Sequence, residues 1–225
     1  MVMFNFPVVF QSVMVEAKDH THLQRCIQYI EVKTGHKLSD LFLTNRQMVL
    51  VELLTMFQVN RPRVVKGLAM CAAADTKGKR KDENIPQDEV ADYIASYLQA
   101  VLTSFITKCS NPLVRNPDKV QCLLSLVELI SFLKFKNVNS CKYALMDCMK
   151  LATNLSKRNP EVFEDVALQL WRTVIHTFEM SALAGVLPQI ICRILPHLQS
   201  RPSETVEMFR FLLKDHADLI KDQHS

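Results

Sequence analysis

Apolar side chains recur at three- and four-residue intervals along almost the whole of this chain, and two-residue alternation is sustained nowhere. That periodicity excludes half-buried strands and calls for amphipathic helices. The run NPEVFEDVALQLWRTVIHTFE, from Asn159, carries it plainly. Phe163, Val166, Leu170, Trp171, Val174, Ile175 and Phe178 fall on one face, with Glu161, Asp165, Gln169 and Arg172 mostly opposite. Asn159 is suited to cap the first turn, and Pro160 to stand at the first helical position, where its missing N–H is no loss. NPDKVQCLLSLVELISFLKF opens the same way at Asn116 and Pro117, with Val120, Leu123, Leu124, Val127 and Ile130 as its stripe. The pattern predicts helices over residues 4–17, 20–34, 38–58, 61–74, 87–109, 117–135, 138–155, 160–179, 183–199 and 203–214, with a short further helix toward the C-terminus.

The stretch LPQIICRILPHLQSRP, Leu187 to Pro202, sets helical spacing against three prolines. A proline in a helix interior removes a donor and clashes with the preceding turn, at about 3 kcal/mol. The spacing predicts one kinked helix over 183–199 that packing on both sides holds together. The chain has only 4 glycines against 9 prolines, so it offers few glycine turns and no phosphate-cradling loop. Short helices in consecutive pairs of roughly 40 residues, without strict repeats, fit HEAT-type arrays better than tetratricopeptide or ankyrin ones. The expected fold class is all-α, an α-solenoid of HEAT-like antiparallel helix pairs. Its expected divisions are a helical segment over 1–74, a polar basic loop over 75–86 and a second helical domain over 87–225.

A formal net charge of +4 is too mild to mark a nucleic-acid binder. Seven cysteines with no CxxC spacing point to a reduced intracellular compartment. The opening MVMFNFPVVFQSVMV lacks a basic n-region and is interrupted by polar residues, so it does not read as a signal peptide. The uncharged stretch Met180–Cys192 is well short of the ~18 apolar residues of a spanning helix, so a soluble protein is expected.

Candidate chemistry is sparse. His20, His22 and Cys26 lie close in sequence, but a zinc site needs three or four ligands, and the reading preferred here is a surface cluster at a helix start. Cys141 and Cys148 lie two turns apart, and Cys109, Cys122 and Cys192 fall on apolar stripes, where cysteine serves as a small hydrophobe. Asp118, Glu161, Glu164, Asp165, Glu204 and Glu207 occupy first turns or exposed faces, where they complement the helix dipole. Lys77, Lys79, Arg80 and Lys81 form the one basic cluster, a weak candidate for phosphate contact or nuclear localisation. Asp82 and Glu83 follow it directly and no aromatic side chain is interleaved, so a solvated loop is preferred. The sole tryptophan, Trp171, is expected in the core with Phe163 and Phe178.

DEVADYIASYLQAVL, CLLSLVELISFLKF and the run from PEVFEDVALQLWRTVIHTFE through LPQIICRILPHLQSRPSETVEMFRFLLKDHADLIKD resemble, in that order, the UME domain of ATR-type DNA-damage checkpoint kinases. FNFPVVFQSVM, HLQRCIQYIEVKTGHKLSDLF and VVKGLAMCA resemble the helical segment upstream of it. DTKGKRKDEN matches no motif of that family. The resemblance implies a non-catalytic HEAT-repeat scaffold within a very long nuclear serine/threonine kinase that acts in checkpoint signalling and DNA repair. ATP and magnesium would belong to the distant kinase domain, with no cofactor in this chain. Its partners would be neighbouring HEAT repeats and the accessory subunit ATRIP, without membrane or direct nucleic-acid contact. No glycine-rich loop and no HRD- or DFG-like segment is present, so no catalytic residue is carried over. The alternative is a free-standing helical-repeat adaptor. Under the kinase reading, the two end helices would expose apolar surface that a longer protein covers.

Overall fold

The computed structural model describes residues 5–75, 86–133, 142–178 and 183–222. Among them the regular structure is helical throughout: α1 (Phe6–Glu16), α2 (His20–Thr34), α3 (Leu38–Thr55), α4 (Arg61–Asp75), α5 (Gln87–Ser110), α6 (Asn116–Leu133), α7 (Lys142–Arg158), α8 (Pro160–Thr177), α9 (Leu187–Ile194) and α10 (Pro202–Asp222). Consecutive helices pack as antiparallel pairs, α3 on α4 and α7 on α8, as in an all-α helical repeat. None of the described helices is long and apolar enough to cross a membrane.

Local chemistry explains where helices begin and end. Asp19 caps α2, its Oδ1 accepting from the His22 N–H at 2.7 Å. Gly35 ends α2 in the left-handed conformation, φ 69°, and donates its N–H to the Glu31 carbonyl. In α3 the backbone leaves helical geometry at Asn45, whose Nδ2 donates to the Leu41 carbonyl at 2.9 Å. An asparagine there offers the carbonyl a substitute donor, which is how such side chains bend helices.

The prolines bear out the helix starts expected at Pro117 and Pro160 and correct the expectation of one kinked helix over 183–199. Pro160 and Pro202 are first helical residues, and Pro7, Pro62, Pro117 and Pro188 are second ones. Pro86 caps α5, Pro112 lies between α5 and α6, and Pro196 opens a 3-10 turn. All but Pro196 stand where the missing donor has no intrahelical partner to lose. Pro196 follows α9 within right-handed helical backbone (Ile194, Leu195), and there the α-helix gives way to the 3-10 turn. The expected single helix over 183–199 is accordingly broken into a 3-10 turn (Ala184–Val186), the eight-residue α9 and a second 3-10 turn (Leu195–Leu198). At the C-terminus α10 continues past residue 214 to Asp222, because no proline or glycine interrupts KDHADLIKD.

The chain forms two compact units, Met1–Leu129 and Ile130–Ser225, divided within α6. The first is cored by Phe6, Phe10 and Phe42, whose ring centroids lie 4.7 to 5.8 Å apart, and by Leu50, Leu53, Leu54 and Leu68. Helices α1, α3 and α4 meet at Gly67, where an added Cβ would lie 3.3 Å from both Leu53 and Met14. Ser125 of α6 secures the end of α3: its buried hydroxyl donates to the Thr55 carbonyl at 2.7 Å and accepts from the Gln58 N–H. The second unit is cored by Leu145, Met149, Phe163, Leu170, Trp171, Ile175, Ile190 and Ile194. Of the end helices, α1 buries Phe6 and Phe10 and exposes Val8, while α10 buries Met208 and Leu212 and exposes Leu213.

Candidate functional site

In the second unit, α7, α8 and α9 enclose an open groove of about 550 Å³. Met146, Asp147 and Lys150 form the α7 wall, Pro188, Gln189, Cys192 and Arg193 the α9 wall, and Trp171 the floor. Trp171 is only 1 % exposed, and its indole N–H donates to the buried Thr153 hydroxyl at 3.0 Å. The core placement expected for Trp171, Phe163 and Phe178 is what the fold contains. Cys192, expected in the core, is instead exposed on the groove wall, because α9 buries the face of Ile190 and Ile194 and Cys192, two residues from each, points away from it. Ile191, Leu195 and Leu198, spaced at i, i+4 and i+7, lie exposed along the same stretch.

A short helix bounded by 3-10 turns needs tethers, and Glu164 supplies one. It accepts from the Ser200 hydroxyl, and His197 Nδ1 lies 3.4 Å from its Oε1. Arg201 reaches both Glu164 and Asp165, the latter at 2.6 Å. Burial works to raise the Glu164 carboxyl; hydrogen bonds from Ser200 and His197 and the Arg201 charge more than offset it and leave the carboxyl below its ordinary range. Glu164 is therefore a largely covered anchor between α8 and the turn after α9, not the exposed first-turn residue the sequence led us to expect. His197 is itself buried, and its Nε2 has no partner among the described residues.

A second polar cluster lies in the first unit. Arg46 donates to Asp75 Oδ1 at 2.5 Å and to the Tyr97 hydroxyl at 2.7 Å, and Tyr97 donates to Asp75 Oδ2 at 3.1 Å. The cluster joins α3 and α5 to the last residue of α4. Tyr93 packs edge-on against Tyr97, and burial, with the Asp75 charge, pushes its phenol up and keeps it protonated. Each charge here is held by a partner, which is a structural arrangement.

His20 contacts Gln24 and Lys66, His22 Nδ1 accepts from the Lys18 N–H, and Cys26 is half-buried. These three join no group of potential metal ligands among the described residues. Lys77, Lys79, Arg80 and Lys81 lie outside the described residues, as does Cys141. The groove brings together an apolar floor, charges of both signs and an adjoining apolar stripe. That combination can seat an apolar side chain, worth about 1.5–3 kcal/mol when fully buried.

Residues 93–198, which include every residue lining the groove, match the UME (NUC010) domain. Over 198 residues, 87% of its length, the chain is 20% identical to the serine/threonine-protein kinase ATR of Drosophila melanogaster. It spans 8% of that relative's length. No solved structure matches the chain.

Proposed function

We propose, from a chain that is the UME domain and adjoining helical-repeat region of an ATR-type protein, that it serves as a non-catalytic scaffold within a serine/threonine kinase of DNA-damage checkpoint signalling. The observation that carries this is the collinear match: the UME domain and the helices upstream of it run in one order through 87% of the chain. The architecture is compatible with the role. Paired helices present extended surfaces, and the Trp171 groove offers a place for another protein segment to dock. On this reading ATP and magnesium are bound by a kinase domain elsewhere in the polypeptide, the protein works in the nucleus, and neighbouring helical repeats and the accessory subunit ATRIP are its partners.

The test is made on the natural gene product. An epitope tag placed at the chromosomal locus should report one very large polypeptide that phosphorylates serine and threonine after DNA damage. Lys150→Glu with Arg193→Glu, on the two groove walls, should lower that phosphorylation several-fold at unchanged protein abundance. A tagged product without kinase activity, no larger than the chain itself, would replace the scaffold reading with the free-standing adaptor.

A further inference from the structure

Cys109, next to last in α5, and Cys122, in α6, are both buried thiols, each about 1 % exposed. They are hydrogen-bonded to one another through their side chains. Cys109 Sγ also lies 3.9 Å from the carbonyl oxygen of Lys119, one helical turn before Cys122. The single Cys109 proton can therefore turn toward that carbonyl or toward the Cys122 sulfur. Cys122 in addition lines a cavity of about 490 Å³ whose wall includes Lys108, Glu52, Leu113 and Asp118. The Cys109 thiol, as donor, holds the Cys122 thiol below its ordinary range; burial works against this, and Lys108 adds to it. Cys71 is the contrast, a buried thiol that burial pushes well up. A thiolate-prone sulfur on a cavity wall with a second thiol in contact is the arrangement of a peroxide-sensitive pair.

We propose that Cys109 and Cys122 are a reversible redox pair that closes to an intramolecular disulfide when the protein meets a small peroxide. The Cys122 thiolate attacks one oxygen of hydrogen peroxide and breaks the O–O bond, giving Cys122 sulfenic acid and releasing the other oxygen as hydroxide. The Cys109 sulfur then attacks the sulfenic sulfur. The S–O bond breaks, the hydroxyl leaves with the Cys109 proton as water, and two electrons have passed from the two thiols to the peroxide. The near-complete cover of Cys122 selects an oxidant of about water's size and excludes bulky disulfides. Cys109 lies one residue from the end of α5, so the terminal turn can take up the closure to the roughly 2.0 Å of an S–S bond. The bond would staple the Asn111–Arg115 connection, on which Leu113 is exposed and Arg115 pairs with Asp118. This inference stands on the two thiols alone and is independent of the kinase reading.

The 225-residue chain is treated with hydrogen peroxide under native conditions, unfolded in the presence of an alkylating reagent, digested and mapped by mass spectrometry, with exposed Cys192 as internal control. A peptide linking Cys109 to Cys122 should rise about ten-fold over the untreated protein and disappear with dithiothreitol. Amide exchange across residues 110–122 should slow in the oxidised form. In Cys109→Ser, which lacks the resolving thiol, dimedone should label Cys122 about ten-fold more than in the wild type. Oxidation of Cys192 with Cys109 and Cys122 still alkylated after unfolding would overturn the proposal. So would Cys122 sulfinic acid without a cross-link, or pairing of Cys122 with another cysteine. The wild-type map decides the matter even if a serine variant fails to fold.

Discussion

Replacing Trp171 by phenylalanine and Thr153 by valine, singly and together, tests whether the groove floor is held by a specific hydrogen bond or by apolar burial alone. Both residues are buried, and the indole N–H donates to the threonine hydroxyl at 3.0 Å. Trp171→Phe removes the donor, with a net loss of about 1 kcal/mol, and about as much again in buried ring surface. Thr153→Val preserves shape but strands the indole N–H in the core, at about 1–3 kcal/mol. Once both are replaced no polar atom of the pair is left unsatisfied. The double variant should then be less destabilised than the sum of the singles by about 1 kcal/mol. Urea unfolding followed by far-ultraviolet circular dichroism measures all four proteins. Trp171 is the sole tryptophan, so native fluorescence reports on this site alone and should be blue-shifted and poorly quenched by acrylamide. Losses that add within about 0.5 kcal/mol would refute the hydrogen-bond argument. Red-shifted, readily quenched emission would refute the burial itself.

Other contacts give comparably direct expectations. Ser125→Ala strands the Thr55 carbonyl and the Gln58 N–H where α6 meets the end of α3, and should cost about 1–3 kcal/mol in urea unfolding; an unchanged midpoint would refute this capping role. Gly35→Ala places a side chain at φ 69° in open space, so only backbone strain acts, and thermal unfolding should report a loss of about 1–2 kcal/mol. Glu164 has a lowered folded pKa, so its contribution is in place above its ordinary value near 4.5 and is lost as pH falls through the lower folded value. In Glu164→Gln the stability-against-pH curve should be flatter over that acid window, and an unaltered acid limb would show that the tether to His197, Ser200 and Arg201 contributes nothing.

The helices were present in the sequence because helix formation depends on residues within about one turn of each other. The apolar stripe from Phe163 to Phe178 and the Asn-Pro starts at 116–117 and 159–160 are each readable within a few positions, and they mark α6 and α8 to within a residue or two. The prolines of Leu187–Pro202 are equally local signals. The stripe of apolar residues outweighed them in the expectation of one long helix, although proline geometry favours first turns. Tertiary structure decided what each outward position meets. Glu164 and His197 are 33 residues apart, so no periodicity distinguishes this covered carboxylate from exposed Asp165 beside it. Cys192 lies on an apolar stripe like Cys109 and Cys122, yet it is exposed while they are buried in contact with each other. Sequence spacing places a side chain on a face of its own helix. Whether that face meets solvent, a carboxylate or a second thiol depends on which helix packs against it, and that packing is settled by the sum of apolar burial over the whole unit.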